Sequence, residues 1–140
     1  MKYEFIKVDS DTTTLKYKDK EFTFIKNIMI ATKLQGINFT ARNEMIMDLA
    51  KQGMTTDNLI IRRIENGKKY EDETNIKAME SNYIQKASLE IFNEICIKYT
   101  NMDLSDLLVD IGLTEEEEAK EFVIKIKEAI LGTNSPSEKK

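Results

Sequence analysis

The sequence predicts an α+β fold: an N-terminal antiparallel β-hairpin or small sheet packed on a mostly helical body with one long central helix. Three observations predict it. Leu15 and Tyr17 alternate with Lys16 and Lys18, and Phe22 and Phe24 alternate with Glu21 and Thr23, on either side of Asp19-Lys20. Period-two alternation across a short polar turn is a hairpin signal. From Ile25 onward the apolar period becomes helical. Finally, Ile76, Met79, Tyr83, Ile84, Ala87, Ile91, Ile95 and Tyr99 recur at helical spacing. A helix from Thr74 to Tyr99 would be about 39 Å long at 1.5 Å per residue.

Taken in order, Tyr3, Phe5, Ile6 and Val8 form a short β-rich run ended by the turn signal Asp9-Ser10-Asp11. In the hairpin, Leu15, Tyr17, Phe22 and Phe24 share the face expected to be buried. A lone hairpin is marginal in water, so that face requires a packing partner, which the helices supply. Ile25, Ile28, Met29, Thr32 and Leu34 suit a short helix that stops at Gly36. Thr40 can cap a second helix with Glu44 in its first turn. Ala41, Met45, Ile46, Leu49 and Ala50 make its apolar stripe, and Gly53 stands at its C-terminal cap. Thr55 or Thr56 opens an expected third helix carrying Leu59, Ile60 and Ile64, which Asn66-Gly67 ends. Lys68 to Glu73 reads as a polar loop. After the long helix, Leu104, Leu107, Leu108 and Ile111 form a short helix ended by Gly112. Thr114 with Glu117 is a capping box for the last helix. Ala119, Phe122, Val123, Ile126 and Ile130 line that helix, and Gly132 stops it.

The chain has 140 residues, the size of one ordinary domain. The expected organisation is a single domain over 1–132, with a β element at 1–26 and a helical body at 27–132, followed by a flexible polar tail at 133–140. The formal net charge is −4 with a pI of about 5.1. Nucleic-acid binding draws on a surplus of Lys and Arg; its absence argues against nucleic acid as a partner. The single cysteine, Cys96, allows no internal disulfide, which suits a reducing compartment. No window approaches the ~20 apolar residues of a membrane helix, and Met1-Lys2-Tyr3-Glu4-Phe5 opens no signal peptide. The expectation is a cytoplasmic protein with no membrane partner.

Histidine is absent. That removes the usual general base and commonest metal ligand, and with them His-dependent nucleophiles and Cys/His zinc sites. Five glycines spread along the chain form no phosphate-cradling loop. Asp103, Asp106 and Asp110 fall on one face of a helix and could be imagined around a hard cation, but they read as its solvated side. Glu115 to Glu118 reads as the acidic first turn of a helix. Cys96 reads as a buried structural thiol. The expectation is therefore no enzyme, no catalytic residue, no metal and no cofactor. The seven methionines either pack the core or mark an adaptable binding surface.

One local run stands out. Leu49-Ala50-Lys51-Gln52-Gly53-Met54-Thr55-Thr56, followed by Arg62-Arg63-Ile64-Glu65-Asn66-Gly67-Lys68-Lys69, resembles the helix-turn-helix of phage-repressor-like regulators. The resemblance implies a DNA-binding regulator using residues 55–69, with Arg62, Arg63, Lys68 and Lys69 as nucleic-acid-binding residues. From Gly53 to Ile64 the chain runs about two residues longer than that motif. That rotates a helix by about 200° at 3.6 residues per turn.

A second resemblance covers more of the chain. The hairpin Leu15-Lys16-Tyr17-Lys18-Asp19-Lys20-Glu21-Phe22-Thr23-Phe24, the helical segments after it, and the polar end Ile130-Leu131-Gly132-Thr133-Asn134-Ser135-Pro136 resemble the layout of tail-assembly chaperones of long-tailed bacteriophages. This implies a bacterial host cytoplasm, self-association as a homo-oligomer, and transient binding to aggregation-prone phage structural proteins. Exposed apolar surface would do the binding, with Met29, Met45, Met47 and Met54 as contributors. No motif assigns the partner-binding residues. The leading expectation is a non-enzymatic assembly factor of this kind. The alternatives are the DNA-binding regulator and a phage-encoded inhibitor of a host protein, a class with no common sequence signature.

Overall fold

The N-terminal strands form a three-stranded antiparallel meander, β1 (Glu4–Lys7), β2 (Thr12–Tyr17) and β3 (Lys20–Ile25), in the order β1-β2-β3. The computed structural model describes residues 2–132; the tail expected at 133–140 lies outside them. Phe5, Leu15 and Phe22 face one another across the three strands. Leu15, Tyr17 and Phe24 are buried and Phe22 is half-buried, as the alternation requires. The helices are α1 (Ile28–Gln35), α2 (Ile37–Lys51), α3 (Thr74–Thr100), α4 (Leu104–Ile111) and α5 (Glu116–Leu131). The fold is α+β, with a small N-terminal sheet and a helical body, as the sequence predicts.

The described residues fall into two compact units. The first joins residues 2–34 with residues 89–132. Here the sheet packs on helices through aromatic rings. Tyr3 and Phe5 meet Phe122 of α5 edge-on and tilted at 5.1 and 5.5 Å, and Phe24 meets Tyr99 of α3 at 5.4 Å. Such pairs add about 0.5–1.5 kcal/mol each beyond the area they bury. Backbone and side-chain hydrogen bonds fix the same contacts: Asn27 N–H donates to the Ile130 carbonyl at 3.1 Å and Tyr99 Oη to the Ile25 carbonyl at 3.1 Å. Leu107, Ile111, Ile126 and Ile130 fill the space beneath.

The second unit is the intervening segment Gln35–Ser88. Met45 and Leu49 of α2 pack with Ile76 of α3, and Met54, Leu59, Ile60, Met79 and Tyr83 close around them. Tyr83 Oη donates to Asp48 at 2.6 Å, and Arg42–Glu80 and Lys86–Glu44 pair at 3.1 and 3.0 Å.

Helix ends follow local chemistry, with shifts of register. Helix α2 starts three residues before the expected cap: Gly36 precedes it, and Thr40 N–H already donates to the Gly36 carbonyl. Its end matches the expectation. Gly53 has φ +73, its N–H bonds the Ala50 carbonyl, and Met54 N–H bonds Leu49, the Schellman pattern. For α5 the capping box moves one residue on, with Glu115 N–H donating to Glu118 Oε1. Lys2 pairs with the same Glu118 carboxylate at 3.1 Å, holding it there.

Residues 55–73 depart from the expectation. A short 3-10 turn, Thr56–Leu59, is followed by β4 (Ile61–Glu65) and β5 (Lys68–Asp72), paired antiparallel. The third helix and the polar loop after it are thus one hairpin. Asn66 and Gly67 have φ +51 and +77, the left-handed pair a two-residue type I′ turn needs. Asn-Gly after a run with β-branched Ile60, Ile61 and Ile64 closes a hairpin; only after a helix-forming segment would it end a helix.

Phe122 is fully buried and touches both Tyr3 and Phe5. Phe122→Ala is expected to lower unfolding stability by about 3–5 kcal/mol in urea titration, the usual loss for a buried aromatic.

Candidate functional site

Ionisable groups converge at the turn of the β2–β3 hairpin. Asp110 of α4 accepts from Tyr17 Oη and Lys20 Nζ, each at 2.6 Å, and Lys18 Nζ donates to the Asp110 carbonyl at 2.7 Å. The Lys20 and Tyr17 hydrogen bonds hold the Asp110 carboxyl below its usual range. Burial, and then the Asp110 hydrogen bond, raise the Tyr17 phenol. An ionised acid and a protonated phenol at neutral pH pin the hairpin to α4; neither is poised to move a proton. Asp103 caps α4, accepting from Asp106 N–H at 2.8 Å, so the three aspartates of that helix do not converge. Among the described residues no group of three or more acidic or thiol side chains is placed to hold a metal ion.

The side chains that stand out are apolar and exposed. Helix α2 is apolar on two sides. Ala41, Met45 and Leu49 point inward. Phe39, Ile46 and Met47, at i, i+7 and i+8, lie on the other side, with Phe39 74% and Met47 62% exposed. Ile46 and Ala50, expected on the inner stripe, belong to this outer one. Of the methionines expected to contribute to such a surface, Met29 and Met47 are exposed, Met54 is half-buried and Met45 is fully buried in the core.

The second exposed element is the β4–β5 hairpin. All five residues of β4 are exposed, as are all of β5 except the half-buried Asp72. Ile64, at 70% exposure, and Tyr70 sit on it with no core to cover. Two open hollows flank it. One of about 340 Å³ lies between Arg63, Tyr70 and the start of α3, and one of about 580 Å³ lies along Arg62, Ile64, Lys69 and Glu71.

The four cations singled out in the sequence all lie on this hairpin, on strands and not on a recognition helix. Cross-strand register puts Arg62 opposite Glu71, Arg63 opposite Tyr70, Ile64 opposite Lys69 and Glu65 opposite Lys68. Opposed residues share a face, so Arg62 and Lys69 lie on one side and Arg63 and Lys68 on the other. Arg62 pairs with Asp57 at 2.5 Å and Glu71 at 3.2 Å. Arg63 pairs with Glu65 at 3.2 Å and stacks 5.5 Å from the Tyr70 ring. The four cations therefore form no common basic face, and both arginines are already bound to carboxylates.

The outer stripe of α2 was legible only as two interleaved apolar series, 41/45/49 and 39/46/47/50, which a single-stripe reading merges. Among the described residues no helix is long and apolar enough to cross a membrane.

Cys96 is fully buried in α3, and burial, with a smaller contribution from the Asp103 charge, pushes its thiol up to about 12. The native protein is expected to resist an aromatic disulfide reagent at pH 8, followed by absorbance, and to react fully once unfolded in urea. Because the folded pKa lies above the unfolded one, stability falls as pH rises from about 9 toward 12. Compared with known proteins, the chain matches no family model, no curated protein and no solved structure.

Proposed function

We propose that this protein is a non-enzymatic, protein-binding assembly factor that holds an aggregation-prone structural protein soluble, in the manner of phage tail-assembly chaperones, in a bacterial host cytoplasm. The observation that carries the reading is the outer side of α2, where Phe39, Ile46 and Met47 form a water-facing apolar stripe on a helix whose other side already fills a core. Such a surface costs solubility and is retained where it engages a partner. An unbranched, polarizable Met in the stripe lets one surface adapt to several apolar segments. Anchors at i, i+7 and i+8 suit a partner segment laid along the helix.

The magnitude fits a transient complex. Phe39, Ile46 and Met47 are 74, 42 and 62% exposed, so covering what remains contributes roughly 3–5 kcal/mol. Association costs about 4–15 kcal/mol in lost freedom. The net binding is weak, as a holding factor that must release its client requires.

The test is light scattering of the products of neighbouring genes, each diluted from denaturant with and without the protein. At least one is expected to scatter several-fold less in its presence. Phe39→Ser/Met47→Ser is expected to keep unfolding stability within about 0.5 kcal/mol per site, as for exposed positions, while losing that suppression. A wild-type protein that suppresses none of them, or a double variant that suppresses as well as wild type, overturns the reading.

A further inference from the structure

The β4–β5 hairpin is a two-stranded sheet with both outer edges open. Two strands alone are marginal in water, and this pair has almost no buried residue. The outer strand β5 reads Lys68-Lys69-Tyr70-Glu71-Asp72. Turned antiparallel on itself about Tyr70, this segment is self-complementary in charge.

We propose that the open edge of β5 is a self-pairing surface that joins two copies of this chain into a dimer, with a continuous antiparallel sheet in the order β4-β5-β5-β4. The proposal does not depend on the assembly-factor reading; it concerns a different element.

The hydrogen-bond phase selects the register. In a two-residue hairpin the pair flanking the turn, Glu65 and Lys68, exchanges both backbone bonds, and such pairs alternate along the ladder. Tyr70 and Asp72 therefore also direct their N–H and C=O toward β4. Lys69 and Glu71 direct theirs to the open edge. An antiparallel neighbour must bring its own outward groups opposite these. A two-fold axis at Lys69 would put Lys69 against Lys69, and one at Glu71 would put Glu71 against Glu71; both juxtapose like charges. The axis at Tyr70 puts Lys69 opposite Glu71 of the second copy and Lys68 opposite Asp72 of the second copy, each twice. It also lets Lys69 and Glu71 make four backbone hydrogen bonds across the interface.

The side chains fit that register. Lys68 and Lys69 make no ion pair among the described residues, whereas Arg62 and Arg63 do. The two lysines thus retain charge to offer across the edge, to a Glu71 carboxylate shared with Arg62 at 3.2 Å and an Asp72 that accepts from Thr74 N–H. Tyr70 would meet Tyr70 of the second copy at the non-hydrogen-bonded pair, where opposed Cα atoms come within about 4.5 Å. Each ring keeps its Arg63 guanidinium alongside, at 5.5 Å. The other edge offers less. Turned about Arg63, β4 opposes Arg63 to Arg63; turned about Ile64, it opposes Arg63 to Glu65, but its next outward pair then falls on Asn66 of the turn. An isologous contact of this kind closes at two copies.

Sedimentation equilibrium of the full chain is expected to show a reversible monomer–dimer equilibrium; a strict monomer at every concentration overturns the proposal. Lys69→Glu and Glu71→Lys, each alone, oppose like charges twice across the axis. Each is expected to weaken dimerisation at least tenfold. Mixed in equal amounts they restore opposite charges at both positions, and a heterodimer is expected to form. Single variants that dimerise as well as wild type, or a mixture that stays monomeric, overturn it. An orthogonal readout is Tyr70→Cys under mild oxidation, expected to give a covalent dimer linked through position 70 in peptide mapping, while wild type with only the buried Cys96 gives none. Absence of a link through position 70 under conditions where the chain is dimeric overturns the register.

Discussion

The contact of Tyr3 and Phe5 with Phe122 makes one unit out of the two ends of the chain. The rings lie 5.1 and 5.5 Å apart, although their residues are more than a hundred positions apart in sequence. The rest of that unit depends on this closure. The meander can bury Leu15 and Phe24 only against helices that arrive from the far end of the chain. Closing so long a loop has an entropic cost that grows only slowly with length, so a compact aromatic cluster suffices to offset it. The intervening segment, Gln35–Ser88, then builds its own small core around Met45, Leu49 and Ile76.

Polar contacts in the first unit follow the same division of labour. Asp110 accepts from Tyr17 and Lys20, Lys18 reaches its carbonyl, and Lys2 reaches Gly112 and Glu118. Each joins the N-terminal strands to the C-terminal helices. Carboxylates that in another protein could serve acid–base chemistry are here held ionised by amines and a phenol. The cations of β4 are likewise bound to acids on the same hairpin and on the turn before it. Exposed apolar side chains on α2 and the lysines of β5 take no part in these contacts, and they support the functional reading advanced above.

Local signals gave the elements with strong periodicity. The alternation over Leu15–Phe24 located the first hairpin, the 3.6-residue period from Ile76 to Tyr99 located α3 to within a residue, and Gly53, Gly112 and Gly132 marked three helix ends through positive φ. The segment 55–73 was misassigned because Asn-Gly has two local meanings. Its flanking residues, Ile60 to Ile64 and Lys69 to Asp72, decide between them only by pairing with each other. The outer stripe of α2 was absorbed into the inner one because Met45 and Ile46 are adjacent and both apolar, and periodicity alone does not say which of them faces a core.

By itself, the sequence determined the α+β class, the order of most elements and the absence of histidine, since these depend on residue type and on spacing within a few turns or strands. Only the tertiary structure decided which apolar side chains face water, which acids are already bound, and that residues 61–72 pair as strands. Most of the burial is a relation between segments distant in sequence, whereas the 61–72 pairing is between neighbouring segments whose Asn-Gly signal has two meanings. Burial and pairing are properties of the partner as much as of the residue.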